Sequence, residues 1–270
     1  MVTANCNHSD ISTEKLSVLT LNLRFGLADD GDNSWPHRKH ILPALFRNYP
    51  TDIVGLQEAN DFQIAYMDHI LADHEFIGKR SPAPRFWQNN IIFYKKTWKC
   101  VYHDHFFLSP TPDIPSRFRD SRWPRQCTIG MFAADDRKII CATTHFDFTE
   151  TVQVNSARLI LERLASLPPG VPVILMGDFN AAPSSSCHLI FTGEGVKNQP
   201  SNFKNVFKKP YPATYHGFTG RVGGQCIDWI LYRGRIMAEN CKVILDSFNG
   251  RYPSDHFPVY TSFRWCDAKH

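Results

Sequence analysis

Side chains able to bind a metal or move a proton stand where apolar runs end along this 270-residue chain. Asn22 closes VLTLN, Glu58 follows DIVGLQ, His145 ends IICATTH, and Asp178 with Asn180 ends VPVILMGDFN. Asp228 lies at the start of IDWIL, and Asp255 with His256 follows RYPS. A sheet scaffold presents strand ends to a shared cleft, so the pattern predicts one site assembled from the whole length of the chain. Taken singly the residues say less: Glu58 could be the first solvated residue past a strand edge, and Asn22 a turn residue. GDFN is sharper. Gly177 permits a tight strand exit, and Asp178 and Asn180, two apart, project to one side of an extended backbone. Asp228 sits in an otherwise apolar strand, where a carboxylate needs a partner, and a histidine is the natural one.

Carboxylates and amide oxygens dominate the set (Asn22, Glu58, Asp178, Asn180, Asp255), which suits a hard cation, Mg²⁺ or alternatively Mn²⁺, better than zinc. Two histidines remain for proton handling and for stabilising charge. Covalent catalysis has less support: there is no GxSxG, and no cysteine beside a candidate base. GxxxxGK[ST] and HExxH are also absent.

Strands are predicted at 16–23, 52–56, 90–94, 98–108, 126–132, 138–144, 171–176, 227–232, 242–245 and 259–263, where β-branched and apolar residues concentrate. Helices are expected at 61–71 and 152–167, with a third at 36–48 weakened or kinked by Pro43. The stretches 26–35, 109–125 and 193–224 read as loops long enough to be functional. Strands outnumber helices and come in adjacent groups, so two packed sheets with outer helices fit better than an alternating parallel sheet. Residues 1–14 are expected to form a flexible leader and 15–270 a single domain.

The opening stretch lacks the apolar run of a secretory signal, so neither export nor membrane insertion is expected. Eight scattered cysteines without a CxxC pair read as free thiols in a reducing, cytoplasmic setting. A formal charge of +4 favours anionic substrates but falls short of a dedicated duplex-DNA binder. A monomer is expected.

In order, LNLRFG, GLQE, TTHFD, GDFNAAP, IDWIL and PSDHFPV resemble the motif series of the endonuclease/exonuclease/phosphatase superfamily. The resemblance covers nearly the whole chain and implies an α/β fold: a four-layer sandwich of two packed, mostly antiparallel β-sheets flanked by helices, as in DNase I. It also implies roles. Glu58, with Asn22 and Asp255, looks like the Mg²⁺ ligand group, and Asp178 with Asn180 would orient and activate water. His145 and Asn180 would donate to phosphoryl oxygens, and His256, held by Asp228, would do likewise or act as base. The run of LNLRFG, Trp35, Arg38-Lys39, NIIFYKK, FFLSPTP and TYHGF looks most like small bacterial members that also resemble deadenylase and nocturnin-type enzymes.

Two departures bear on substrate. Arg24 stands where exonuclease III-like repair nucleases carry an Asp, and Arg85, Trp87 and Asn90 occur where a phosphate-gripping Tyr would be sought. Arg24, Arg85, Asn90 and Trp123 are therefore the substrate-binding candidates. Trp123 lies in a loop with Arg117, Arg119, Arg122 and Arg125, a mixture able to stack on a base while neutralising phosphate, or simply a solvated charged loop. The expected activity is metal-assisted, in-line hydrolysis of a phosphodiester or phosphomonoester in a nucleotide or single-stranded nucleic acid. The alternatives are a phosphatase of a small sugar- or lipid-derived phosphate and a non-catalytic phosphate-binding module.

Overall fold

The fold was analysed in a computed structural model, which describes residues 15–194 and 201–266. The expected leader at 1–14 lies outside the described residues. Twelve strands form two six-stranded sheets. The first has the order β11 (Ile236–Val243), β12 (Val259–Trp265), β1 (Lys15–Asn22), β2 (Ile53–Ala59), β4 (Asn89–Lys95), β3 (His74–Ile77). The second runs β5 (Lys99–Phe107), β6 (Gln126–Ala134), β7 (Arg137–His145), β8 (Val173–Asp178), β10 (Asp228–Arg233), β9 (Lys204–Asn205). Within each sheet one central pair, β1 with β2 and β7 with β8, is parallel and the other pairs are antiparallel. Parallel central strands carry their C-terminal ends to the same edge, and Asn22, Glu58, His145 and Asp178 all lie at such ends.

The sheets pack face to face through a buried layer in which Leu16, Val18, Ile53 and Ile92 of one meet Phe132, Ile139, Cys141, Ile174 and Met176 of the other. On the outer face of the first sheet lie α1 (Trp35–Arg38), α2 (Leu42–Asn48) and α3 (Asp61–Ile70), whose Trp35, Leu42, Leu45, Ile64 and Met67 join its core. On the outer face of the second, α4 (Glu150–Ala165) and α5 (Ser186–Thr192) contribute Ala157, Ile160, Leu164 and Phe191. The four-layer sandwich expected from the sequence is the fold observed.

Local chemistry explains the departures. Pro43 stands in the first turn of α2, where its missing N–H costs nothing, so the expected helix at 36–48 splits into α1, a 3₁₀ turn and α2. Strand β3, HEFI, is a short edge strand with little apolar pattern to announce it. Strand β11 begins six residues before the expected 242 and contains a bulge between Glu239 and Lys242. Helix α5 ends at Gly193 in the left-handed region, the usual glycine stop. Seven of the eight cysteines fall in the described residues, and all seven are free thiols. No helix of the described residues is long and apolar enough to cross a membrane.

Candidate active site

Two tripeptides build the floor of the site. His145-Phe146-Asp147 leaves β7, and Asp178-Phe179-Asn180 leaves β8, its parallel neighbour. In each the outer residues turn toward the site and the phenylalanine turns the other way. Phe146 and Phe179 are fully buried and meet edge-on at 5.0 Å, and Phe179 stacks on Trp229 at 4.3 Å. These rings anchor both strand exits in the core, which is why an aromatic residue separates the polar pair. Gly177 is required for a different reason. Its φ is +142°, and an added Cβ would collide with the Thr144 carbonyl of the adjacent strand. Asn180 follows at φ +46°, a conformation that asparagine tolerates better than most residues.

Asp178 is the hub. Its Oδ1 accepts from the Asn180 backbone N–H at 2.9 Å, and its Oδ2 accepts from Asn22 Nδ2 at 2.9 Å. The same Oδ2 lies 3.4 Å from His145 Nε2 and 3.8 Å from His256 Nε2. Burial, reinforced by the nearby Asp228 carboxylate, pushes Asp178 up to about 7. Glu58 reaches the cluster because its backbone adopts φ +59° at a bulge in β2, which re-aims the side chain. Its Oε1 accepts from Asn22 Nδ2 at 3.1 Å and its Oε2 from the Phe25 N–H at 2.6 Å.

Asn22 corrects an expectation. Its Oδ1 accepts the Arg24 N–H at 2.8 Å, so the amide nitrogen faces Glu58 and Asp178 and holds the two carboxylates side by side. It works here as a donor to the two carboxylates, with its oxygen turned to the Arg24 N–H.

His256 and Asp228 form the expected pair, Nδ1 to Oδ2 at 2.9 Å, with both residues buried. Asp228 is fixed from behind: Thr214 Oγ1 accepts the N–H groups of Ile227 and Asp228 at 3.0 Å each. Burial alone would lower the His256 imidazole, but the carboxylates of Asp228 and Asp178 outweigh it and raise it to about 10. His145 is the opposite case. Burial first, then the Arg125 guanidinium and His256, hold it well below the ordinary histidine range and therefore neutral. Arg125 Nη1 lies 3.1 Å from His145 Nδ1. An arginine can only donate, so Nδ1 accepts and the ring proton sits on Nε2, facing Asp178. Asn180 Nδ2, 3.0 Å from that nitrogen, donates to the Phe146 carbonyl.

The remaining candidates fall in four places. Asp255 is at the site, with Oδ1 3.1 Å from Ser254 Oγ, 4.0 Å from His256 Nε2, and Oδ2 3.7 Å from Arg24 Nε. Arg24 is spent on Asp30 through two hydrogen bonds of 2.7 and 3.0 Å, so it braces Asp255 and its loop. Trp123 is exposed at the rim, on a loop clamped by Asp147 Oδ2, which accepts from Ser121 Oγ and the Arg122 N–H at 2.9 Å each. Arg85 is exposed beside α3. Asn90 is not brought to the site. It is 4% exposed and donates to the Gln126 carbonyl at 2.9 Å, tying one sheet to the other. That correction has a simple cause: Asn90 sits one residue into β4, where a polar side chain facing the partner sheet is used for register.

Three contributors were given no role in the site from sequence. Arg125 was one of several loop arginines, and only the fold shows it buried against His145. Asp147 lay inside the TTHFD motif, two residues after His145, and that spacing was the available signal. Arg38, 1% exposed, donates to the carbonyls of Asn33, Pro253 and Arg24 at 3.0, 2.7 and 3.1 Å. It thereby joins the loops carrying Arg24 and Asp255.

The family model for the endonuclease/exonuclease/phosphatase family matches residues 2–256. The chain belongs to that family. Its members are phosphoester hydrolases. A Bacteroides thetaiotaomicron endonuclease/exonuclease/phosphatase family protein superposes with a TM-score of 0.84 at 26% identity, covering 94% of this chain and 99% of that one. A mannosyl-6-phosphatase from the same species gives 0.82 at 26% identity, covering 93% and 100%. Bovine 2',5'-phosphodiesterase 12 is 21% identical over 85% of this chain. The chain spans about half the length of that curated relative, 46%.

Proposed function

We propose that the enzyme hydrolyses a phosphodiester or phosphomonoester by in-line attack of water, with a divalent metal, Mg²⁺ or Mn²⁺, and that its substrate is a nucleotide or a single-stranded nucleic acid. The observation that carries this reading is the convergence of Asn22, His145 and His256 on one carboxylate oxygen of Asp178, with Asp228 behind His256.

The donor set fits a hard cation. Glu58, Asp178 and Asp255 bring carboxylates to one site, and burial, then the Asp228 carboxylate, push Asp178 up to about 7. Asp178, Asp228 and His256 also bring one ligating atom each within 4.8 Å of one another. That trio is better read as acid–base machinery, because Asp228 and Asp178 keep His256 charged, and an imidazolium has no lone pair to give a metal. Glu58 and Asp255, with Asp178 beside them, would hold the ion, and Asn22 would keep Glu58 and Asp178 apart at a fixed spacing. When bound, the metal supplies positive charge to the phosphoryl oxygens.

The protein's own groups do the rest. Asp178 takes the proton of the attacking water, and Asn180 fixes that water's position. His145 presents its Nε2–H to a phosphoryl oxygen. His256, charged in the resting enzyme, stabilises the developing negative charge rather than acting as the initial base. The nucleotide preference rests on the rim: Trp123 and Phe148 are exposed, with Arg122 and Arg125 packed against their respective rings at 5.8 Å. A second reading, a small sugar phosphate, draws on the likeness to the mannosyl-6-phosphatase. A panel of dinucleotides, single-stranded RNA and DNA, and hexose phosphates separates them. Turnover confined to hexose phosphates would replace the nucleotide reading.

A further inference from the structure

Beside the site, a groove of about 530 Å³ runs between α1, α3 and the Gly26 turn. Its wall on α3 is one helix face: Phe62, Tyr66 and His69 recur at spacings of four and three. From Phe62 to His69 the face extends for about 10 Å. Trp35 closes the far side, edge-on to Tyr66 at 5.7 Å. Lys39 is half-buried with its Nζ over the Tyr66 ring at 5.4 Å, and Arg85 stands at the mouth. No carboxylate lines the groove, and among the described residues none pairs with Lys39, His69 or Arg85.

The groove and the site share a wall. Phe25 donates its N–H to Glu58, and the next residue, Gly26, donates to Asn60 Oδ1 at 2.9 Å and lines the groove. A Cβ at Gly26 would press on the Phe62 ring at 2.7 Å, so glycine keeps this end open. A ligand spanning from the site thus meets aromatic faces and unpaired positive charge within one residue's reach. Aromatic faces stack on bases, and unpaired cations attract phosphates. A volume of 530 Å³ suits a nucleotide-sized group.

We propose that this groove is a second subsite, which binds the nucleotide unit next to the scissile phosphate, its base against Tyr66 and Phe62 and its phosphate at Lys39. The proposal rests on the phosphoesterase reading of the neighbouring site and makes the preferred substrate an oligonucleotide. It predicts that affinity grows with the second nucleotide and is salt-sensitive.

The test compares a single-stranded trinucleotide with bis(p-nitrophenyl) phosphate, which is too short to enter the groove. Lys39→Gln should raise KM for the trinucleotide about fivefold, leave its kcat near wild type, and flatten the dependence of log kcat/KM on log salt by about 0.7. Lys39→Arg should restore both. Tyr66→Leu, which keeps a large apolar side chain against Trp35, should weaken trinucleotide binding about tenfold. None of these changes should alter turnover of the small diester. Trinucleotide KM values within twofold of wild type for Lys39→Gln and Tyr66→Leu overturn the subsite, as does an equal effect on both substrates. If wild type hydrolyses neither substrate, the phosphoesterase reading fails instead. The subsite is then decided by titrating a fluorescent trinucleotide into the protein in EDTA: binding weakened by Lys39→Gln upholds it, and absence of binding overturns it.

Discussion

Replacing Asp228 with asparagine keeps the shape of the His256 partner and removes its charge. His256 is buried and sits at about 10 instead of 6.5, a displacement worth about 5 kcal/mol in favour of the imidazolium. Asp228 and Asp178 are the main sources, and only Asp228 adds a direct hydrogen bond to Nδ1. Assigning Asp228 roughly half, about 2–3 kcal/mol, lowers the imidazole by about two pH units, so kcat changes little at about pH 7 and falls about tenfold relative to wild type near pH 9. The sign of the pH effect follows from the direction of the displacement. A raised imidazole is charged below its folded value and loses the proton as pH rises through it, so the wild-type alkaline limb lies near pH 10. In Asp228→Asn that limb moves down to roughly pH 8. The assay is kcat for a chromogenic phosphodiester between pH 5 and 10.5, with circular dichroism confirming the fold. An unshifted alkaline limb, with kcat near pH 9 within about threefold of wild type, would show that the pair does not govern the reaction.

Arg125→Lys withdraws the donor that fixes the His145 tautomer, and kcat should fall about tenfold or more with little change in KM; a KM effect alone would make Arg125 a binding residue. Arg38→Met strips three carbonyls of a buried donor, with an expected loss of about 3–5 kcal/mol in urea unfolding; a loss under 1 kcal/mol would refute that bracing role. Gly177→Ala, strained at φ +142° against Thr144, should cost at least about 4 kcal/mol or abolish soluble expression. His105 is pushed down to about 4, by burial first and then by Arg80 against the opposing Asp104. Its folded value is depressed, so the protein keeps full stability above about pH 6.5 and loses roughly 3 kcal/mol as pH falls toward 4. In urea unfolding at pH 7 and 4.5, His105→Gln should show a smaller acid loss than wild type.

The site was legible wherever it followed the periodicity of two. Asn22, Glu58, His145, Asp178, Asn180, Asp228, Asp255 and His256 each adjoin an apolar run, and a sheet can only place such residues at its rim. Their direction was less legible. Whether Asn22 points its oxygen or its nitrogen at the carboxylates depends on the Arg24 backbone N–H, a partner two residues away that no spacing rule predicts. Asn90 misled because a polar residue near a strand end looks the same whether it meets substrate or the opposite sheet. Arg38 and Arg125 are buried arginines, and composition gives no sign of which charged residue will be buried. Among the elements, β3 and β9 were missed because their four and two residues carry little apolar pattern. Helix α5 was missed because only seven residues separate its cap from its glycine stop.

Hydrolysis of single-stranded RNA, single- and double-stranded DNA, dinucleotides and small phosphate monoesters, measured with Mg²⁺, Mn²⁺ or EDTA, is the direct test of the phosphoesterase assignment. Wild type should turn over at least one class only when metal is present, and Asp178→Ala and His256→Ala should each abolish that turnover while remaining folded. Turnover of no class with either metal, or equal rates in wild type and both variants, would contradict the assignment of catalysis to the Asp178 cluster.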